Sequence, residues 1–230
     1  MEYIIEGIVK AMYLIFSFDS EIYGIVGRSV TFAVIATFFA TIFGIPIGFI
    51  IASNTFRGKT LLLIVLNTLM AFPTVVIGLL GYAFLSRQAP LGFLGLIFTP
   101  EAVIIGEFLI SLPIITNLTV SAIQSVDKRV YLTAKTLGAG PKTVVWSVLV
   151  EARFAIFAAI IAGLGRAVSE VGSAMMLGGN IRFYTRTMTT SIAMEVSKGE
   201  FSFGLALGFF LLTVAFAVNI LFHHLQVKGS

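Results

Sequence analysis

The sequence predicts an all-α membrane protein, with five transmembrane helices preceded by an amphipathic helix in the membrane interface. Two observations predict it. Of 230 residues, 58% are hydrophobic and only 11% are charged, and the mean hydropathy is +1.03. A soluble domain carries about 25% charged residues, so this chain has too few to cover a water-facing surface of its size. Apolar runs near 25–52, 60–86, 102–124, 152–176 and 204–224 are each long enough to cross a bilayer about 30 Å thick, with some tilt. The linkers between them are short, so residues 1–230 read as one transmembrane domain.

The N-terminal segment differs from the five runs. Residues 3–16 are too short to span, since a span needs about 20 apolar residues. Glu6 and Lys10 stand one turn apart, and Ile4, Ile5, Ile8, Met12, Ile15 and Phe16 fall on the opposite stripe. That pattern predicts an interfacial helix within residues 1–20. No small-residue cleavage site follows it, so a cleaved signal peptide is not expected.

Five spans put the termini on opposite sides, and the positive-inside rule chooses between orientations. Segments 53–60, 125–153 and the C-terminus hold Arg57, Lys59, Lys128, Arg129, Lys135, Lys142, Arg153 and Lys228, eight of the fifteen Lys and Arg. The other side holds Lys10, Arg28, Arg87, Arg182, Arg186 and Lys198, and Arg166 lies within a span. The expected topology is N-terminus out and C-terminus in. The net charge of +4 then reflects topology, and no nucleic-acid partner is expected. The chain has no Cys, and its two His are His223 and His224, so neither disulfides nor a metal site is expected. No phosphate-binding loop or nucleophile–base arrangement is present, so no catalytic residues are expected.

The most informative segment is 125–153. Val130, Leu132, Ala134 and Leu137 alternate at helical spacing with Lys128, Arg129, Thr133 and Lys135. Gly138-Ala139-Gly140 breaks the helix, and Pro141 suits the first turn of a second one. The prediction is a helix–turn–helix knob on the cytoplasmic face; a basic loop that only sets topology is the plainer alternative. The stretch Ala134-Lys135-Thr136-Leu137-Gly138-Ala139-Gly140-Pro141 resembles the EAA loop of permease subunits in binding-protein-dependent ABC importers. Gly138, Val148 and Val150 fit that pattern. Leu132 stands where the signature Glu usually is, and Glu151 where a Pro usually is. The resemblance implies a type I ABC importer permease fold in which Leu132, Ala134, Lys135, Leu137, Gly138, Ala139, Gly140 and Pro141 couple to an ATPase.

The stretches Gly165–Gly172 and Met175–Ile181 look like the matching region of molybdate and tungstate permeases, and Thr185–Phe201 is closest to the tungstate type. The resemblance covers essentially the whole chain. It implies import of a tetrahedral oxyanion, tungstate before molybdate, across the cytoplasmic (inner) membrane of a prokaryote. It implies a homodimer, two ATPase subunits that bind ATP and Mg, an extracytoplasmic substrate-binding protein, and no cofactor in this chain.

Residues within and beside the spans complete the expected site. Ala155, Ala159, Gly163 and Ala167 form a small-residue stripe suited to close packing. Arg166 and Glu170 lie one turn apart and are expected to pair, either locking two helices or gating a path. An ionisable residue in a span is costly, about 2.5 kcal/mol or more, and is a functional candidate by default. Glu107, beside Gly106 and upstream of Pro113, is expected to neutralise Arg166 from a neighbouring helix, in a structural or gating role. In loop 177–203, Arg182, Arg186, Thr187, Thr189 and Thr190 offer the cationic and hydroxyl donors that oxyanions accept. With Ser169, these make up the gate and pathway candidates. Pro46 and Pro73 are expected to kink their helices, and Gly44/Gly48 and Gly204/Gly208 to pack closely. The rival readings are a self-contained secondary transporter or channel for an anion, in which folds inverted repeats are common, and a non-transporting scaffold. No convincing repeat is visible, and neither rival accounts for the knob.

Overall fold

A computed structural model describes residues 2–227, with side chains from 5 to 220; Ile4, His223, His224 and Lys228 lie outside the described side chains. Eleven α-helices and one 3₁₀ turn follow one another, with no strand among the described residues. They are α1 (Glu2–Phe16), α2 (Ser20–Ser53), α3 (Lys59–Met70), α4 (Thr74–Leu85), α5 (Pro100–Gln124) and α6 (Lys128–Thr136). Then come α7 (Pro141–Glu151), α8 (Arg153–Val168), α9 (Gly172–Gly178), α10 (Met188–Lys198) and α11 (Phe201–Val227). Three helices are long and apolar enough to cross a membrane, and five spans result if each of two bent pairs counts as one.

The bent pairs are where continuous apolar runs conceal a break. Run 60–86 is α3 plus α4, which meet at 96°. Pro73 supplies the break: it stands as the N-cap of α4, and its ring cannot donate to the helix ladder. Pro46 and Pro113 by contrast lie inside unbroken helices. Run 152–176 also divides. It joins α7 at 66°, α8 ends at Val168, and Gly172 starts the short α9.

Helix α5 is central. Thr99 caps its N-terminus by accepting from Ala102 N, and Pro100 occupies the first turn. Packed around it are α2, α3, α4, α8 and α9. Small residues set the spacing. A Cβ on Gly48 of α2 would lie 2.7 Å from Thr116 O, and one on Gly163 of α8 would lie 2.8 Å from Ile115 Cδ1. Ser111 Oγ also donates to Gly163 O at 3.1 Å. The stripe Ala159, Gly163, Ala167 is buried as expected, but Ala155 at its end is exposed.

Both ends of α2 are tied. Asp19 caps α2, accepting from Glu21 N and Ile22 N at 3.0 Å. At the other end, Lys59 Nζ donates to Ala52 O and Asn54 O, at 3.1 and 2.9 Å, closing the α2 C-terminus. Helix α1 rests on α11 through Gly7 and Ala11, which are buried, with Gly7 against the Phe201 ring. The face that meets protein carries Gly7, Ala11, Leu14 and Ile15, the last of these from the predicted apolar stripe. Ile5, Ile8, Met12 and Phe16 stay exposed, which leaves the apolar face of the amphipathic helix free for lipid.

Gly48→Leu is expected to push α2 off the α5 backbone and cost about 1–3 kcal/mol, read as a lower thermal midpoint of the solubilised protein. Gly27→Ala, where nothing lies within 4 Å of the added carbon, is expected to be neutral or mildly stabilising. Equal midpoints for G48L and the wild type would mean that this close approach does not hold α2.

Candidate functional site

At one end of the bundle α6 and α7 form a hairpin. Asp127 caps α6, accepting from Arg129 N at 2.8 Å, and pairs with the Arg129 guanidinium. That hydrogen bond from Arg129 holds the Asp127 carboxyl below its ordinary range. The turn uses Gly138 at φ +75°, with Ala139 N donating to Ala134 O at 3.0 Å. A left-handed residue here is what ends α6 and lets Gly140 and Pro141 start α7. Leu132, Leu137 and Trp146 project at 56%, 80% and 67% exposure. Beside them is a cleft of about 580 Å³ lined by Asp127, Arg129, Val130, Thr133, Ala134, Leu137 and Ser147. Lys135 folds over the Tyr131 ring at 4.7 Å. Leu132, in place of a Glu, thus adds to an apolar knob with a polar rim.

In the middle of the bundle Arg166 and Glu170 meet as expected, Nη1 to Oε2 at 3.4 Å. Their environments differ: the Arg166 side chain is 37% exposed and that of Glu170 is 0%. Glu170 also has a task unforeseen from sequence. Its Oε1 accepts from Ser173 N at 2.9 Å, and its carbonyl accepts from Thr189 Oγ1. The carboxylate therefore orders the first turn of α9, whose Gly172 lies against Val75 and whose Ser173 lies against Gly78 of α4.

Glu107 is buried at 3% exposure, and its Oε2 has no hydrogen-bond partner. Among the described residues no ion pair joins it to Arg166, so the expected neutralisation of Arg166 by Glu107 does not occur. Arg166 points to the open face of α8 with Ala162, Gly165 and Ser169, whereas Glu107 faces the packed side of α5.

At the opposite end, residues 179–187 fold tightly. Asn180 and Phe183 adopt φ of +49° and +63°. Thr187, Thr189 and Thr190 are buried, and their hydroxyls are engaged within the chain. Thr187 and Thr190 form a reciprocal cap on α10, and Thr190 Oγ1 donates to Asn180 Oδ1 at 3.0 Å. Arg182 grips Glu21 with two bonds of 2.8 and 2.6 Å. That bond to Glu21 raises the Arg182 guanidinium above its ordinary value. Arg186 reaches Glu21 at 3.4 Å and Glu195 at 3.8 Å, and Lys198 joins Glu195 at 3.1 Å. A cavity of about 320 Å³ lies among these charges. The pairing of Glu21 and Glu195 with the loop cations spans 161 residues in the first case, and no local signal in the sequence announces it.

The family model described as the inner membrane component of binding-protein-dependent transport systems matches residues 44–228. The chain belongs to that family. It is 41% identical over 226 residues to a tungstate uptake system permease protein of Peptoclostridium acidaminophilum, covering 98% of this chain and 99% of the relative. It is 37% identical to a tungstate uptake system permease protein of Campylobacter jejuni, covering 98% and 95%. A chain from the MetNI methionine ABC transporter, solved in inward-facing conformations, superposes with a TM-score of 0.71 over 91% of this chain and 96% of that one, at 13% identity. The fold of the family's importer permeases is therefore shared by this chain.

Arg166→Ala is expected to leave the buried Glu170 carboxylate without a counter-charge. Adding Glu170→Gln removes that charge and keeps an acceptor for Ser173 N. The double variant is therefore expected to be about 2 kcal/mol more stable than Arg166→Ala alone, measured by thermal unfolding of the solubilised protein. If the second substitution lowers stability further, Glu170 is not held as an ion by Arg166.

Proposed function

We propose that this chain is the transmembrane subunit of an ATP-driven importer of a tetrahedral oxyanion, with tungstate the expected substrate. The projecting α6–α7 hairpin carries this reading, because an apolar knob on a membrane protein needs a receiving surface. The two tungstate permeases that match over almost the full length supply the substrate class. In this reading α3 with α4 and α8 with its neighbours complete five spans, with the N-terminus outside and the C-terminus inside. Two copies of the chain form a symmetric pathway. Two separate ATPase subunits bind ATP and Mg and receive the hairpins, and an extracytoplasmic binding protein delivers the anion to the Arg182–Glu21 end. The assembly sits in the cytoplasmic membrane of a prokaryote.

The mechanism is mechanical. ATPase closure moves the two hairpins. Helix α7 runs into α8 through a single residue, Ala152, at the 66° bend. Motion of the hairpin is therefore passed to the face that bears Arg166 and Ser169. The packed bundle then switches between two arrangements, since such interfaces are bistable rather than continuously deformable. The chain breaks no bond and lowers only the barrier to translocation. The half-exposed Arg166 favours an anion at the open face of α8. Buried Glu107 and Glu170 stay behind it, where they do not repel the anion directly.

The test is ATP-dependent tungstate uptake by the assembled transporter in vesicles. Uptake by this chain without ATP or an ATPase would overturn the reading in favour of a self-contained transporter. Gly138→Val forces a branched side chain into a left-handed position and costs about 1–2 kcal/mol locally. It is expected to leave ATP hydrolysis running while uptake falls at least about tenfold. Normal coupling in that variant would remove the hairpin from the mechanism.

A further inference from the structure

Among the described hydrogen bonds of the spans, one joins side-chain amides of two different helices. In α5, Asn117 Nδ2 donates to Asn67 Oδ1 of α3 at 2.7 Å and lies 3.0 Å from Met70 Sδ. Asn67 is exposed and Asn117 is half-buried. No described hydrogen bond uses the Asn67 amide nitrogen or Asn117 Oδ1, so a donor and an acceptor face outward. Ser121 and Gln124 follow Asn117 at one-turn intervals on α5 and are exposed too. Asn117 lies about 10 Å from the α5 C-terminus at 1.5 Å per residue, in the half of the bundle nearer α6 and α7.

A primary amide facing hydrocarbon with unmet hydrogen-bonding atoms costs several kcal/mol. The exposed face of α2, with Thr31, Val34, Phe38 and Ile42, carries no amide. The two faces are therefore not equivalent, and the face between α3 and α5 is unsuited to lipid. The covering medium must itself hydrogen-bond. A neutral amide donor forms a weaker bond than a charge-assisted one, which suits a step an ion must leave as readily as it enters.

We infer that Asn67 and Asn117 line the water-filled path of the oxyanion in the half of the membrane next to the α6–α7 hairpin, where the free Asn67 amide nitrogen is a neutral donor beyond Arg166 and Asn117 holds that amide in place. This rests on the importer reading, but its test does not require transport. The chain has no cysteine, so Asn67→Cys, Asn117→Cys and Phe38→Cys each introduce one thiol. The assembled transporter in inside-out vesicles is treated with a membrane-impermeant anionic methanethiosulfonate, and labelling of this chain is followed by its mass shift. In the nucleotide-free state, N67C and N117C are expected to react at least about tenfold faster than F38C. Tungstate, but not an equal concentration of chloride, is expected to slow them. Equal rates at the three positions would overturn the inference by placing the pair in lipid. So would resistance to the reagent together with oxidative cross-linking of N67C between two copies, which would place it in a dry interface. As a functional check, Asn67→Leu/Asn117→Leu is expected to cut uptake about tenfold with ATP hydrolysis intact. Wild-type uptake by that variant would also overturn the inference. Failure of the wild type to take up tungstate would instead count against the importer reading alone.

Discussion

The close approach of α2, α8 and α9 to the single helix α5 governs the rest of the structure. In lipid there is no hydrophobic drive between helices, so association depends on packing and on hydrogen bonds. Glycines provide both here. Gly48 admits the α5 backbone, Gly163 admits Ile115, and Gly106 admits Leu177 and Ser173. The same closeness lets Ser111 reach a carbonyl of α8. With α5 fixed in this way, each end of the bundle can carry a different chemistry without disturbing the centre.

Those two ends are built on different physical principles. The α6–α7 hairpin is held by local capping, an Asp at one end and a positive-φ Gly at the turn, and leaves its apolar residues outward. The opposite end is held by long-range charge pairing, with Glu21 from the start of α2 gripping Arg182 and Arg186. Between them, Glu170 links the halves. One oxygen orders α9, the other faces Arg166, and its carbonyl takes a bond from Thr189 in the first turn of α10. A change at Arg166 is thereby felt by the α4–α9 contact as well as by the open face of α8.

Much of this was legible in the sequence where the determinants are local. The hairpin could be read because Gly138, Gly140 and Pro141 act on their own backbone. The Arg166–Glu170 pair could be read because one helical turn separates them. The breaks in runs 60–86 and 152–176 were only partly legible. Proline marks a possible bend, yet Pro46 and Pro113 lie in unbroken helices, and neighbouring packing decides which proline breaks its helix. The threonines at 187–190 read as free donors, and folding turned them inward as caps and ties. Glu107 read as a partner for Arg166, but its helical phase on α5 points it to the packed side.

The sequence alone determined that this protein lives in a membrane, that it is helical, and that it carries a projecting knob and, apart from it, a charged loop. Composition, run length and capping residues are enough for that, since each acts within a few residues. Only the tertiary structure decided which face of α1 meets protein, that Glu21 and Glu195 meet the loop cations, and that Asn67 and Asn117 share an open face. These depend on helix rotation and on contacts across tens to hundreds of residues, and no periodicity in a single chain encodes them.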